Sequence, residues 1–189
     1  MALVEPAKPK ATMTETPRGL EIVIPAKRNW FVMLFLAAWL CGWLAGEIMV
    51  PTTFFPNAPD SGALLFVGAW FVMWTIGGGF AIYIFLWSLV GRELILLSAS
   101  RLSLKHDVLG LGRLREYEVT HVSDLRVSPS TYNPFDFRSG LRFWGIGGGV
   151  IAFDHGAATV RFGAALEEGE AKSIVARMQS RARLRSAAV

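Results

Sequence analysis

Two stretches of this chain offer water almost nothing to hold. NWFVMLFLAAWLCGWLAGEIMV, residues 29–50, carries one charge, Glu47, and GALLFVGAWFVMWTIGGGFAIYIFLWSLVG, residues 62–91, carries none. A helix over 30–50 is about 32 Å long at 1.5 Å per residue, close to the roughly 30 Å of a bilayer's hydrocarbon core. The apolar part of the second run reaches about 42 Å, so it is expected to tilt or protrude. In hydrocarbon every backbone N–H and C=O must be bonded within its own segment, which makes both runs helices. The first run is longer than the apolar region of a cleaved signal and begins only at residue 29, so it reads as a retained span. Composition agrees: 52% hydrophobic and 18% charged is too apolar for an ordinary soluble domain.

Charge placement orients the hairpin. Lys8, Lys10, Arg18, Lys27 and Arg28 precede the first run, and the remaining Lys and Arg residues follow the second. The connector PTTFFPNAPDS, 51–61, has neither and reads as a tight turn resting in the interface. The positive-inside rule then puts both termini in the cytoplasm and the connector outside. Trp30, Trp39, Trp43, Trp70, Trp74 and Trp87 partly form interfacial belts. The single cysteine, Cys41, excludes an internal disulfide.

The spans are poor in chemistry and rich in small residues. His106, His121 and His155 all lie beyond them, so no haem or chlorophyll held by imidazole is expected. Ala38, Gly42 and Gly46 repeat at four-residue spacing on the first run. Ala69, Gly77 and Ala81, with the triplet Gly77-Gly78-Gly79, do so on the second. Small faces let helices approach closely. Either these faces meet within the hairpin, or one docks on a foreign helix; three adjacent glycines exceed what a single contact uses. Glu47 is expected in the last turn of its span, within reach of headgroup water. A proton relay would need a second carboxylate or histidine at depth, and the runs contain none.

The rest is short elements. Period-two alternation marks RLSLKH (101–106) and REYEV (115–119) as half-buried strands. GLEIVIP (19–25), ELILL (93–97), DLRV (124–127), VIAF (150–153) and ATVRF (158–162) read the same way. Asp154-His155-Gly156 is a hairpin turn, with His155 solvated at its tip and no metal partners near in sequence. After Gly163 the period becomes helical: Ala171, Ile174, Val175, Met178 and Ala182 share a face. Glu167, Glu168 and Glu170 at the start, and Arg177, Arg181, Arg183 and Arg185 at the end, complement the helix dipole. GIGGG (145–149) precedes a strand, the wrong context for a phosphate loop. Residues 1–19 are expected to be disordered.

The two-span hairpin, GREL (91–94), GVIAFDHG (149–156), TVRFG (159–163) and EAKSIV (170–175) together resemble small bacterial inner-membrane proteins bearing a cytoplasmic pleckstrin-homology-like domain. The resemblance spans roughly 20–185. It implies a bent antiparallel sheet with one C-terminal amphipathic helix, in a small α+β domain attached to a membrane hairpin. It implies no catalytic set.

The expected layout is thus a tail (1–19), a strand and juxtamembrane piece (20–28), a transmembrane hairpin (29–91) and a cytoplasmic domain (92–189). No enzyme, cofactor or metal role is expected. Ala38, Gly42, Gly46, Gly77, Gly78 and Gly79 are the candidate contacts in the membrane. In the loop 129–145, Phe135, Phe137, Arg138, Arg142, Phe143 and Trp144 combine aromatic and basic groups suited to a protein patch or an anionic headgroup surface. Partners are membrane lipids and other membrane proteins rather than nucleic acid. The expected function is an accessory, assembly or scaffold subunit of a larger complex, respiratory and photosynthetic complexes among the candidates. The alternative is a regulatory module reading anionic headgroups.

Overall fold

The computed structural model describes residues 9–128 and 148–186, with side chains of the last helix through Arg181. It divides into two compact units, Arg28–Leu89 and Met1–Lys27 with Val90–Val189.

The first unit is helical. Asn29 caps α1 (Trp30–Met49), accepting a hydrogen bond from the Val32 N–H at 3.4 Å. Pro51 has no N–H to return to the preceding turn, and the helix widens rather than stops. Over Val50–Phe54 it becomes a π-turn, with the Phe55 N–H reaching back to the Val50 carbonyl. The hydroxyls of Thr52 and Thr53 donate to the Ile48 and Met49 carbonyls at 2.6 and 2.5 Å. A 3₁₀ turn, Phe55–Asn57, completes the rod. The connector expected as a tight turn over 51–61 is therefore helical through Asn57. The break falls at Ala58, which is extended as a residue before proline must be. Asp60 then caps α2 (Ser61–Val90), accepting from the Ala63 N–H at 2.8 Å. Both rods, Trp30–Asn57 and Ser61–Val90, are long and apolar enough to cross a membrane.

Among the described residues the second unit holds eight strands, a 3₁₀ turn (Val119–His121) and a long C-terminal helix. β1 (Thr12–Thr16), β2 (Gly19–Pro25), β3 (Arg92–Leu97), β4 (Arg101–Asp107) and β5 (Leu114–Glu118) form one antiparallel sheet in sequence order. β6 (Val122–Val127), β7 (Ile151–His155) and β8 (Ala158–Phe162) form a second, and α3 (Glu168–Ser186) follows. β2 and β3 pair from Leu20↔Leu97 to Pro25↔Arg92, and the Ala26 N–H donates to the Gly91 carbonyl at 2.9 Å. The helices are thus an insertion between two neighbouring strands.

Alternation decides the core. Leu20, Ile22 and Ile24 of β2, Ile95 and Leu97 of β3, and Leu102 and Leu104 of β4 point inward. Ile151, Phe153 and Phe162 meet them from the second sheet, and Ala171, Ile174, Val175 and Met178 of α3 belong to the same cluster. The expected strands and closing helix are all present. The tail is the exception, because Thr12–Thr16 is strand rather than disordered. It pairs with β2, and the start of α3 and the residue before it hold the approach: Glu170 accepts from the Ala11 N–H at 2.6 Å and Glu167, just ahead of the helix, binds Lys10 at 2.7 Å.

Phe153 is fully buried, edge-on to Tyr117 at 5.2 Å and tilted against Phe162 at 6.3 Å. Phe153→Ala is expected to cost about 3–5 kcal/mol, read as a lower denaturation midpoint of the sheet unit in detergent-solubilised full chain.

Candidate interaction surfaces

The hairpin closes by tryptophan against glycine, not by small residue against small residue. The Trp43 ring covers Gly78, where a Cβ would lie 1.9 Å from the ring. Trp43 Nε1 donates to the Trp74 carbonyl at 3.3 Å. Trp74 stacks on Trp70 at 5.0 Å, meets Trp39 at 5.8 Å and lies over Gly46, where a Cβ would touch its ring at 3.5 Å. Four of the expected belt tryptophans are therefore packing groups of the hairpin itself. Sequence cannot see this, because only the register of the two rods puts Trp43 opposite Gly78.

The candidate small residues consequently separate. Gly78 is buried and Gly46 backs Trp74. Ala38, Gly42, Gly77 and Gly79 are exposed, with nothing within 4 Å of a Cβ at the three glycines. Glu47 also differs from expectation. The rod continues past it to Asn57, so it does not occupy the last turn. Its carboxylate accepts from the Thr75 hydroxyl at 2.9 Å, and Thr75 stands at the middle of α2. Phe135, Phe137, Arg138, Arg142, Phe143 and Trp144 lie outside the described residues.

In the sheet unit the buried carboxylates are tied to structure. Glu93 accepts from the Gly163 N–H at 2.6 Å, joining β3 to the segment that leads into α3, with His106 Nε2 3.8 Å away. Asp107 lies 2.7 Å from Lys105 Nζ and accepts from Arg92 Nε at 2.9 Å. The Lys105 ammonium and the Arg92 guanidinium hold its carboxyl below the ordinary range, against the opposing effect of burial. Asp154 accepts from Arg126 at 2.8 Å and from Thr159 at 2.6 Å, and both hydrogen bonds lower its pKa. The turn expected at Asp154-His155-Gly156 lies one step later, at Gly156 and Ala157, because Asp154 and His155 are still paired in β7 with Thr159 and Ala158. His155 is therefore a strand residue rather than a solvated tip, its ring edge-on to Tyr117 at 5.3 Å and to His121 at 6.0 Å. Among the described residues no three His, Cys, Asp or Glu side chains gather to hold a metal. A hollow of about 530 Å³ on the outer face of the five-stranded sheet is floored by Leu94 and Leu96 and rimmed by Arg18, Glu21, Lys105 and Glu116.

No family model, curated protein or solved structure matches this chain.

Gly78→Leu must displace the Trp43 ring and break its bond to the Trp74 carbonyl. It is expected to red-shift and broaden the tryptophan emission of the solubilised protein, whereas Gly77→Leu leaves the spectrum unchanged. Asp107 makes a separate prediction. Its folded carboxyl titrates below the ordinary 3.8, so its stabilisation is complete above that value and is lost as pH falls through the lowered one. Asp107→Asn should flatten the loss of near-ultraviolet circular dichroism in that acid window while lowering stability at neutral pH.

Proposed function

We propose that this chain is a non-enzymatic accessory, assembly or scaffold subunit of a larger bacterial membrane complex. α1 and α2 cross the inner membrane, both termini lie in the cytoplasm, and the sheet unit is a pleckstrin-homology-like docking domain. Two antiparallel sheets followed by a C-terminal helix support that reading of the domain. The distribution of Lys and Arg supports the orientation.

One observation carries the proposal: the hairpin consumes Gly78 and Gly46 but leaves Gly42, Gly77 and Gly79 open. A glycine inside a helix costs about 1 kcal/mol relative to alanine. Exposed glycines in a span therefore need a use outside their own hairpin, and close approach of another helix is the use membranes favour. Glu47 and Thr75 add a polar pair at mid-span that a partner helix can hydrogen-bond.

Gly42→Leu and Gly79→Leu put side chains into open space, so the hairpin should fold as before. The proteins that accompany the wild-type chain through mild-detergent purification should fall at least about tenfold, the change that a loss of about 1.4 kcal/mol produces. A wild-type chain that migrates on native gels as a lone monomer, with nothing co-purifying, rejects the proposal.

A further inference from the structure

The turn between β4 and β5 has a composition that the sheet does not require. Val108 and Leu111 exchange two backbone hydrogen bonds, at 2.8 and 2.9 Å, around Leu109 and Gly110. Both central residues have positive φ, 53° and 87°, the signature of a type I′ turn. Asn-Gly is the favoured pair in such a turn, and leucine is a poor choice for the left-handed position. Yet Leu109 stands there 70% exposed, followed by Leu111 at 79% and Leu114 at 54%.

The turn is also held in place. Lys105 Nζ donates to the Gly110 carbonyl at 2.9 Å while lying 2.7 Å from Asp107. Gly112 rests against the His106 carbonyl so closely that a Cβ would meet it. Arg113 and Arg115, both exposed, follow the tip and have no acidic partner among the described residues.

Register fixes where this tip projects. β4 runs antiparallel to β3 with Asp107 opposite Arg92, so the turn continues about 7 Å beyond Arg92 at roughly 3.3 Å per residue. That is the end of the sheet from which the chain leaves β2 for α1 and returns from α2. Only Gly91 separates Val90 of α2 from Arg92 of β3.

We infer that the 108–112 turn is a membrane-contacting tip, placing Leu109 and Leu111 in the interfacial layer of the bilayer that α1 and α2 cross, with Arg113 and Arg115 on anionic headgroups. The lipid surface is favoured over a protein partner because the sheet end that carries the turn is the end tethered to both spans. Apolar side chains followed by unpaired arginines also match the order of an anionic interface. The inference rests on α1 and α2 being membrane spans, and is otherwise independent of the scaffold proposal.

The test uses the full chain carrying Cys41→Ser, with either Leu109→Cys or Ala99→Cys bearing a polarity-sensitive fluorophore. Ala99 lies in the exposed turn at the opposite end of β3 and β4. The protein is reconstituted into phosphatidylcholine vesicles with and without phosphatidylglycerol. Shallow spin-labelled lipid should quench the label at 109 severalfold more than that at 99, more strongly with phosphatidylglycerol, and aqueous iodide should show the reverse. A label at 109 as open to iodide as that at 99 overturns the inference. Shielding from both quenchers also overturns it, since a protein surface then covers the turn. Failure of the chain to float with the vesicles removes the membrane premise and the inference with it, and is read separately.

Leu109→Asn supplies the second arm, with the label moved to Leu111→Cys. An Asn-Gly turn should hold or raise the melting temperature of the sheet unit while reducing lipid quenching severalfold. A lowered melting temperature would mean that Leu109 serves the fold, and would overturn the inference.

Discussion

The pairing of β2 with β3 is the constraint on which the rest of this structure depends. These strands are neighbours in the sheet, but the whole helical unit lies between them in sequence. Their ladder runs to Pro25↔Arg92 and is extended by the Ala26–Gly91 hydrogen bond, so the two chain crossings leave one sheet end side by side. If an insertion that starts and returns at one sheet end crosses a bilayer, it must do so an even number of times. Two apolar rods of nearly matched length satisfy that requirement. The same ladder aligns Leu20, Ile22 and Ile24 with Ile95 and Leu97, so the register that closes the insertion also builds the centre of the core.

Most of the architecture was legible because it depends on local periodicity. Leu102 and Leu104 alternate with polar neighbours whatever else the chain does, and Ala171, Ile174, Val175 and Met178 repeat with a helical period. What escaped depends on distance. β1 has a polar, threonine-rich sequence with no apolar face to read. It is ordered by pairing with β2 and by carboxylates at and just before the start of α3, more than a hundred residues away. The sequence places Glu167 and Glu170 at the start of the closing helix, where they complement its dipole; in the structure the same side chains fasten residues 10 and 11. The candidate site divides in the same way. That the spans hold surplus glycine was visible in the sequence; which glycines remain open depends on the tryptophans opposite them.

Pro51 and Pro56 show how a sound local rule can mislead. Proline lacks the N–H that an α-helix interior needs, so a segment with three prolines reads as the end of a helix. Here the backbone absorbs Pro51 in a π-turn and Pro56 in the first turn of a 3₁₀ segment, where a missing donor is tolerated. The threonine hydroxyls bond carbonyls of the last α-helical turn. The consequence reaches Glu47. In a rod ending at residue 50 it is a terminal residue with water nearby, but in a rod ending at Asn57 it faces the middle of α2.

That relocation bears on why the hairpin has a carboxylate at all. A purely apolar pair of rods would pack through its tryptophans, since Trp43 over Gly78 and Trp74 over Gly46 already fix the register. Removing Glu47 would therefore not be expected to undo the pairing, and burying a polar group at mid-span is costly. The hydrogen bond from Thr75 occupies one position on one carboxylate oxygen and leaves further acceptor sites on a partly exposed group. Under the proposed accessory role, those acceptor sites would take a donor from the partner helix. Gly42 and Gly77, open to close approach on the same two rods, would let a donor-bearing helix come near enough to supply one.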